Sequence, residues 1–253
     1  MSNRTTGAAL AHLTVTSWNI HRGRGEDGVI DPARTLNVLC NEVLDQRPDI
    51  LMLQEADEER PPHGGILDLA LLEERSGLCP VHDDPGARWG PDSHGFLGVI
   101  LFAAPGVLVE QVRVLDLPGH CHRGAVIADI RKAGSPFRIV GTHLSLTQVL
   151  RIIQMRTLGQ HLFRRDPRPT VLGGDLNEWR SWGGVALSRA ALGSRFVGPA
   201  PATFPVRYPI LPLDRILGAG GARVAAVRVL DGPGIRMASD HRPIHAVIET
   251  DTF

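Results

Sequence analysis

The chain has 253 residues, 43% of them apolar and 21% charged, enough for an ordinary core in one large domain or two small ones. Lys plus Arg and Asp plus Glu both number 27, so the formal charge is zero and there is no basic excess of the kind that grips nucleic acid non-specifically. No stretch reaches the roughly 20 apolar residues that cross a bilayer, and three cysteines without CxxC spacing, Cys40, Cys79 and Cys121, argue against a disulfide framework and point to a reducing cytoplasm.

The opening "MSNRTTGAALAHL" is a poor signal peptide, with one arginine and a weak apolar run. Residues 1–12 read as a flexible N-terminal segment of a single domain spanning 1–253. "LTVTSWNI" (13–20) alternates and is β-branched, which predicts a strand. In "DPARTLNVLCNEVLDQRPD" Asp31 is a helix cap, Pro32 suits the first turn, and Leu36, Leu39, Cys40 and Val43 share a face until Pro48 ends the helix. "DILMLQE" (49–55) is a continuous apolar run, the pattern of a strand buried on both faces.

A second helix is expected over 64–75 and a loop over 80–95. Strands are expected near 97–103, 107–115, 123–131 and 136–142, and the turn-like "AAPG" and "KAGSP" between them suggest antiparallel pairs. A long amphipathic helix covers 146–165, with Gln154 and Arg156 as exposed positions. "PTVLGGDLN" is the next strand. "TFPVRYPILPLDRIL" is a Pro-rich loop that leads into a strand near 213–218, and "ARVAAVRVL" and "RPIHAVIET" are the last two strands. No repeat or linker splits the chain, so a layered α/β domain is expected, with two packed sheets and helices outside.

Polar residues recur where these apolar runs stop. Asn19 closes the first strand, Glu55 closes "ILMLQE", His143 closes "FRIVGTH", Asp175 and Asn177 close "TVLGGDLN", Asp214 opens "DRIL", and Asp240 and His241 precede the last strand. Ligands in layered α/β folds gather at strand ends. Two-residue spacing puts Asp175 and Asn177 on one face of an extended chain, and Gly173 and Gly174 leave room for a close approach of backbone or ligand. Carboxylates and carboxamides without cysteine suit a hard cation, Mg²⁺ or Mn²⁺. Two histidines complete the parts needed for metal-assisted hydrolysis of a phosphoester. "HCHRG" (120–124) is read as loop histidines around an ordinary thiol, because no second cluster completes a zinc site.

The set "SWNIHRG", "ILMLQE", "GTHLS", "GGDLNEW", "LDRI" and "SDHRPI", in this order, resembles the endonuclease/exonuclease/phosphatase superfamily of metal-dependent hydrolases and runs over nearly the whole chain. The resemblance implies a four-layer α/β sandwich of two mainly antiparallel sheets with helices outside. It implies Glu55 as the main metal ligand, supported by Asn19 and by Asp240, which also pairs with the neighbouring histidine. His241 would contact the scissile phosphate and help to activate water. Asp175 and Asn177 would position the nucleophile and a phosphate oxygen. Asp214 matches the aspartate of the strand before the last motif, and His143 a second histidine that serves as a candidate acid for the leaving group. The sequence leaves open whether Asp240 or Asp214 orients His241.

His21, Arg22 and Arg24 follow the first strand in a loop that either faces phosphate or is solvated. Arg123, His120, His122, Thr203 and Phe204 are further candidates to face substrate, and His94 is read like the loop at His21. The chain looks most like the small bacterial members of the superfamily. With 5% aromatics and no net charge, a stacking platform for DNA is not expected. A small phosphodiester, of lipid-headgroup or nucleotide type, is the expected substrate, with a nuclease as the alternative. A non-catalytic phosphate-binding module would lack a site residue, and none is missing.

Overall fold

The alternating segment around "LTVTSWN" forms β1 (Leu10–Asn19) in a computed structural model that describes residues 10–251. Of the expected flexible segment, residues 10–12 are therefore strand, paired with Asp251, Thr250 and Glu249. Residues 1–9 lie outside the described residues. Asp31 caps α1 (Pro32–Val38) by accepting the Arg34 N–H at 2.9 Å. Past Val38 the helix widens into a π turn (Leu39–Val43), tightens into a 3₁₀ turn (Leu44–Gln46) and stops at Arg47 in the left-handed region, which leaves Leu39, Val43 and Leu44 all buried.

The apolar run becomes β2 (Ile50–Gln54), buried at every position and parallel to β1. The second helix starts later than expected. In α2 (Leu69–Ser76) Asp68 accepts the Leu71 N–H, and the residues before it are drawn to the end of β2 by an Ile66 N–H to Ala56 carbonyl bond of 3.1 Å. The two-residue strand β3 (Cys79–Pro80), which pairs with β4 (Ile100–Ala103), takes only the first residue of the stretch expected as loop.

"AAPG" is not a hairpin turn. β4 pairs with β2, while β5 (Val107–Leu117) opens a second sheet, so the turn carries the chain across the sandwich. "KAGSP" does make a hairpin, between β6 (Arg123–Lys132) and β7 (Ser135–His143). The remaining elements are α3 (Gln148–Phe163), β8 (Thr170–Asp175), α4 (Arg189–Leu192), β9 (Asp214–Ala219), β10 (Arg223–Val229), α5 (Ile235–Ala238) and β11 (Ile244–Asp251).

One sheet has the order β10-β11-β1-β2-β4-β3 and the other β5-β6-β7-β8-β9. Among the described residues, only β1–β2 and β7–β8 are parallel. Leu13, Val15, Met52 and Leu101 from the first sheet meet Ile130, Phe137, Ile139 and Val171 from the second in the central core. Leu36, Leu39 and Leu72 pack on the outer face of the first sheet, and Met155, Leu158 and Leu192 on that of the second. Each such fully buried side chain contributes about 1.5–3 kcal/mol, and the arrangement is the expected four layers. No helix among the described residues is long and apolar enough to cross a membrane.

The topology gathers the polar strand ends. His143, Asp175 and Asp214 stand in register across β7, β8 and β9, and Asn19 lies beside Gln54, one residue before Glu55.

Candidate active site

Sharp exits from the strands aim the side chains. Glu55 (φ 59°), Asn177 (φ 49°), His21 (φ 48°) and Arg22 (φ 49°) all lie in the left-handed region, a conformation that is strained for a non-glycine residue and recurs at functional sites. Asn177 therefore does not follow Asp175 on a simple extended face. Its N–H returns to Asp175 Oδ1 at 3.0 Å, and its amide nitrogen is tied to the Leu144 carbonyl at 2.9 Å. The glycines before them serve packing. A Cβ on Gly174 would lie 1.9 Å from the Thr142 carbonyl oxygen, and one on Gly173 2.8 Å from Met52 Sδ.

At the centre is a line of titratable groups. Thr203 Oγ1 donates to Asp214 Oδ2 at 2.6 Å, and the same oxygen accepts His241 Nδ1–H at 2.8 Å. The far side of the His241 ring, Nε2, lies 3.8 Å from Asp175 Oδ2, and His143 Nε2 lies 3.4 Å from that oxygen. The open question is thus answered for Asp214. The resemblance-derived pairing of Asp240 with His241 is a long one, with Asp240 Oδ1 4.0 Å from Nε2 on the opposite side of the ring and 3.4 Å from His21 Nδ1. Asp214 reaches Nδ1 because β9 sets it directly opposite Asp175, whereas adjacency in sequence turns Asp240 to the other side of the ring.

Burial alone would depress His241, but the carboxylates of Asp214, Asp175 and Asp240 raise it to about 10. Burial raises Asp175 to about 6, with Asp214 adding to the effect and His241 opposing it. His143 moves the other way. Burial, reinforced by Arg123, His241 and Arg22, holds it well below the usual histidine range, which favours the neutral ring.

Asn19 joins the two sheets' carboxylates. Its amide nitrogen donates to Glu55 Oε1 at 3.3 Å and to Asp175 Oδ2 at 3.0 Å, while its Oδ1 accepts the His21 N–H. Arg22 forms an ion pair with Glu55 Oε2. Among the described residues, donor atoms of Asp175, Asp214 and His241 fall within 4.8 Å of one another. Asp214 Oδ2 and His241 Nδ1 are already committed to each other, so this trio suits proton handling better than ion binding. The fit to a cation is better around Asn19. There Asn19 links the carboxylates of Glu55 and Asp175, the Arg22 guanidinium on Glu55 stands where a cation's charge would fall, and Asp240 Oδ1 is buried with no hydrogen-bond partner. This is an oxygen-rich set suited to a hard divalent ion.

The other candidates divide. Arg123 is half-buried and feels both Glu55 and Asp175, with burial lowering its pKa. The Phe204 ring lies 4.9 Å from that of His241. Arg24 bonds its own loop at the Gly28 carbonyl, Arg156 is exposed as expected, and the His94 backbone N–H bonds Asp57. Gln154 is not exposed. It is fully buried, accepting the Ser145 N–H and donating to the Pro118 carbonyl, because the loop after His143 needs that partner.

Four contributors were missed. Ser239 Oγ donates to the Asn19 carbonyl and accepts the His241 N–H, and Trp18 Nε1 donates to the His241 carbonyl, so β1 clamps the histidine backbone. Glu178 is fully buried, 3.6 Å from Arg151 Nη2 and bonded by Arg180, while Arg151 also holds the Ser145 and Leu146 carbonyls. This cluster ties the His143 loop to the Asn177 loop. Ser239 and Glu178 stood inside quoted motifs, but nothing in the sequence marks the Arg151 partner.

Residues 16–241 match the Endonuclease/Exonuclease/phosphatase family. Over 210 residues the chain is 32% identical to the uncharacterized protein YbhP of Escherichia coli K12, covering 72% of this chain and 83% of YbhP. The endonuclease/exonuclease/phosphatase of Beutenbergia cavernae superposes with a TM-score of 0.65 at 21% identity, over 94% of this chain and 72% of that one. D. rerio TDP2, solved in complex with a single strand DNA product, does so with a TM-score of 0.68 at 17% identity, over 95% and 100%. The chain belongs to the endonuclease/exonuclease/phosphatase family and has its fold.

Proposed function

We propose that this protein is a divalent-metal-dependent phosphodiesterase that hydrolyses small diesters of nucleotide or lipid-headgroup type by attack of water. The observation that carries the reading is the line Asp214–His241–Asp175–His143, with 2.8 Å from Asp214 to His241 and 3.8 and 3.4 Å from the two histidines to Asp175.

A phosphodiester is anionic, so attack requires its charge to be neutralised, the water to lose a proton and the leaving oxygen to gain one. Asp214 holds His241 Nδ1, which leaves protonated Nε2 to face the phosphate. Asp175, at about 6, accepts a proton from water near neutral pH. As the water oxygen bonds to phosphorus and the P–O ester bond breaks, the leaving oxygen takes the proton from His241 Nε2. Asn177 orients the phosphate, and neutral His143 flanks Asp175, its Nε2 3.4 Å from Oδ2. Glu55, with Asn19 and Asp240, would hold a Mg²⁺ or Mn²⁺ ion, which supplies charge neutralisation at the phosphate and at the developing alkoxide.

A nuclease would use the same chemistry, and a protein of this fold is known with a single strand DNA product. The balanced net charge favours the small substrate. The test is hydrolysis of an aryl phosphodiester and of supercoiled plasmid side by side, with Mg²⁺ or Mn²⁺ and with chelator. Ester turnover that chelator abolishes, without plasmid nicking, is expected. Nicking lost in Asp175→Ala would make the protein a nuclease, and silence on both would count against hydrolysis of diesters.

A further inference from the structure

We infer that a pocket of about 200 Å³ beside Glu55 is a stacking subsite for one planar heteroaromatic ring, the nucleobase of a small nucleotide diester held at the candidate centre. The inference rests on the phosphodiesterase reading and narrows its substrate class.

One wall is aromatic. The Trp89 ring stacks on His63 with centroids 3.4 Å apart and an interplanar angle of 22°, and His122 lies tilted 4.8 Å from Trp89. The His63 ring is fixed by Nδ1 at 3.1 Å from the Glu58 carbonyl, and the Trp89 N–H is bonded to the Gly95 carbonyl at 2.9 Å. The indole is therefore backed by a second ring and anchored at its backbone, a prepared surface for a third plane. His122 is exposed at the mouth.

The facing wall is cationic and leads to the centre. Arg22 pairs with Glu55, and Arg123 feels the charges of Glu55 and Asp175. The Nε atoms of both are buried without a hydrogen-bond partner. Between the walls, Leu97 and Gly98 line the pocket where the Ala56 N–H meets the Gly98 carbonyl at 2.9 Å, next to the Glu55 backbone. A ring lying against Trp89 and His122 thus has its phosphate end toward Arg22, Arg123 and Glu55.

Size and charge choose among ligands. Pockets for drug-sized molecules span about 300–1,000 Å³, so this one suits a single ring system. An aromatic wall also suits a quaternary ammonium through cation–π attraction, a headgroup that the two guanidinium groups of the pocket repel and the carboxylates of Asp57, Glu58 and Glu59 attract, so the phosphorylcholine ester is the competing outcome of the test. The carboxylates of Glu58 and Glu59 line it as well and are acceptors for the N–H groups of a base.

The test uses the Mn²⁺-loaded protein and three esters with one leaving group: thymidine 5′-(p-nitrophenyl phosphate), p-nitrophenyl phosphorylcholine and methyl p-nitrophenyl phosphate. The readout is the ratio of kcat/KM for the nucleoside ester to that for the methyl ester, in which any general loss of folding or catalysis cancels. Wild type is expected to favour the nucleoside ester by roughly 5- to 150-fold, the range base–aromatic stacking gives. Trp89→Ala and, separately, His122→Ala bring the ratio toward one. A wild-type ratio near one, a ratio unmoved in both variants, or preference for the phosphorylcholine ester overturns the inference while leaving the phosphodiesterase reading in place. If no ester is turned over, that reading fails, and calorimetric titration with thymidine 5′-monophosphate decides the subsite alone. Binding that weakens in Trp89→Ala upholds it, and no binding, or binding equal in both proteins, overturns it.

Discussion

His241 gives its Nδ1–H to Asp214 Oδ2 at 2.8 Å, across 27 positions of sequence, while the adjacent Asp240 stands 4.0 Å from the opposite ring nitrogen. The two aspartates therefore have different tasks. Asp214 fixes the ring and sustains its charge. Asp240 faces His21 and the cluster around Asn19.

Asp214→Asn should lower the single-turnover rate of diester hydrolysis by about 10²–10⁴-fold, as expected when a histidine loses its orienting carboxylate. The His241 titration, followed by NMR, should fall from about 10 toward the ordinary histidine value. Asp240→Asn should cost less in rate and more in metal affinity. Equal effects of the two substitutions on rate would show that neither aspartate is specialised.

Glu55→Gln removes a carboxylate charge at which Asn19 and Arg22 converge. Mn²⁺ binding, read by water proton relaxation, should weaken by at least about tenfold, the scale on which a lost ligand or its support alters metal affinity. Circular dichroism should show the fold retained. Unchanged Mn²⁺ affinity would take Glu55 out of the metal site.

Arg151→Met leaves Glu178, fully buried, with its Oε2 uncompensated. Removing one partner of a buried pair is costly, and about 3 kcal/mol should be lost in urea unfolding. The double change Arg151→Met with Glu178→Leu should recover much of that loss. A single variant as stable as wild type would show that Arg180 alone satisfies Glu178.

His82 gives a pH signature remote from the candidate centre. Its Nδ1–H meets the Ala87 carbonyl at 2.8 Å and its Nε2 accepts the Leu101 N–H, so burial favours the neutral ring and lowers its pKa to about 4. The unfolded chain takes up this proton near 6.5 and the folded chain only near 4. The stabilisation is therefore present above about 6.5 and lost as pH falls between the two values. Between pH 7 and pH 5 this group should remove about 2 kcal/mol of stability. His82→Gln, though less stable at pH 7, should lose correspondingly less over that interval in urea unfolding, and an identical pH dependence would exclude His82 as the cause.

Much of this molecule is legible in its sequence, because the strand ends carry the polar residues and the strands announce themselves. Asn19, Glu55, His143, Asp175 and Asp214 could be found as polar stops on apolar runs, and the sheets bring them to one end of the sandwich. The parts that were not legible depend on what lies across space. "AAPG" looks the same whether β4 and β5 pair or separate into two sheets. Gln154 has an exposed residue's chemistry and a buried residue's place, since only the fold presents the Ser145 N–H to it. Gly173 and Gly174 signalled a close approach of backbone or ligand, and only the fold shows that at Gly174 it is backbone, the Thr142 carbonyl. The choice between Asp214 and Asp240 turns on which side of one imidazole each reaches.

We propose that a metal and His241 act together to hydrolyse a phosphodiester. This is tested most directly by the single-turnover rate of bis(p-nitrophenyl) phosphate hydrolysis with Mn²⁺, in wild type and in folded His241→Ala, with a chelator control. Turnover is expected that chelator abolishes and that the variant lowers by about 10²–10⁴-fold. Turnover that persists in chelator, or a variant as fast as wild type, would contradict it.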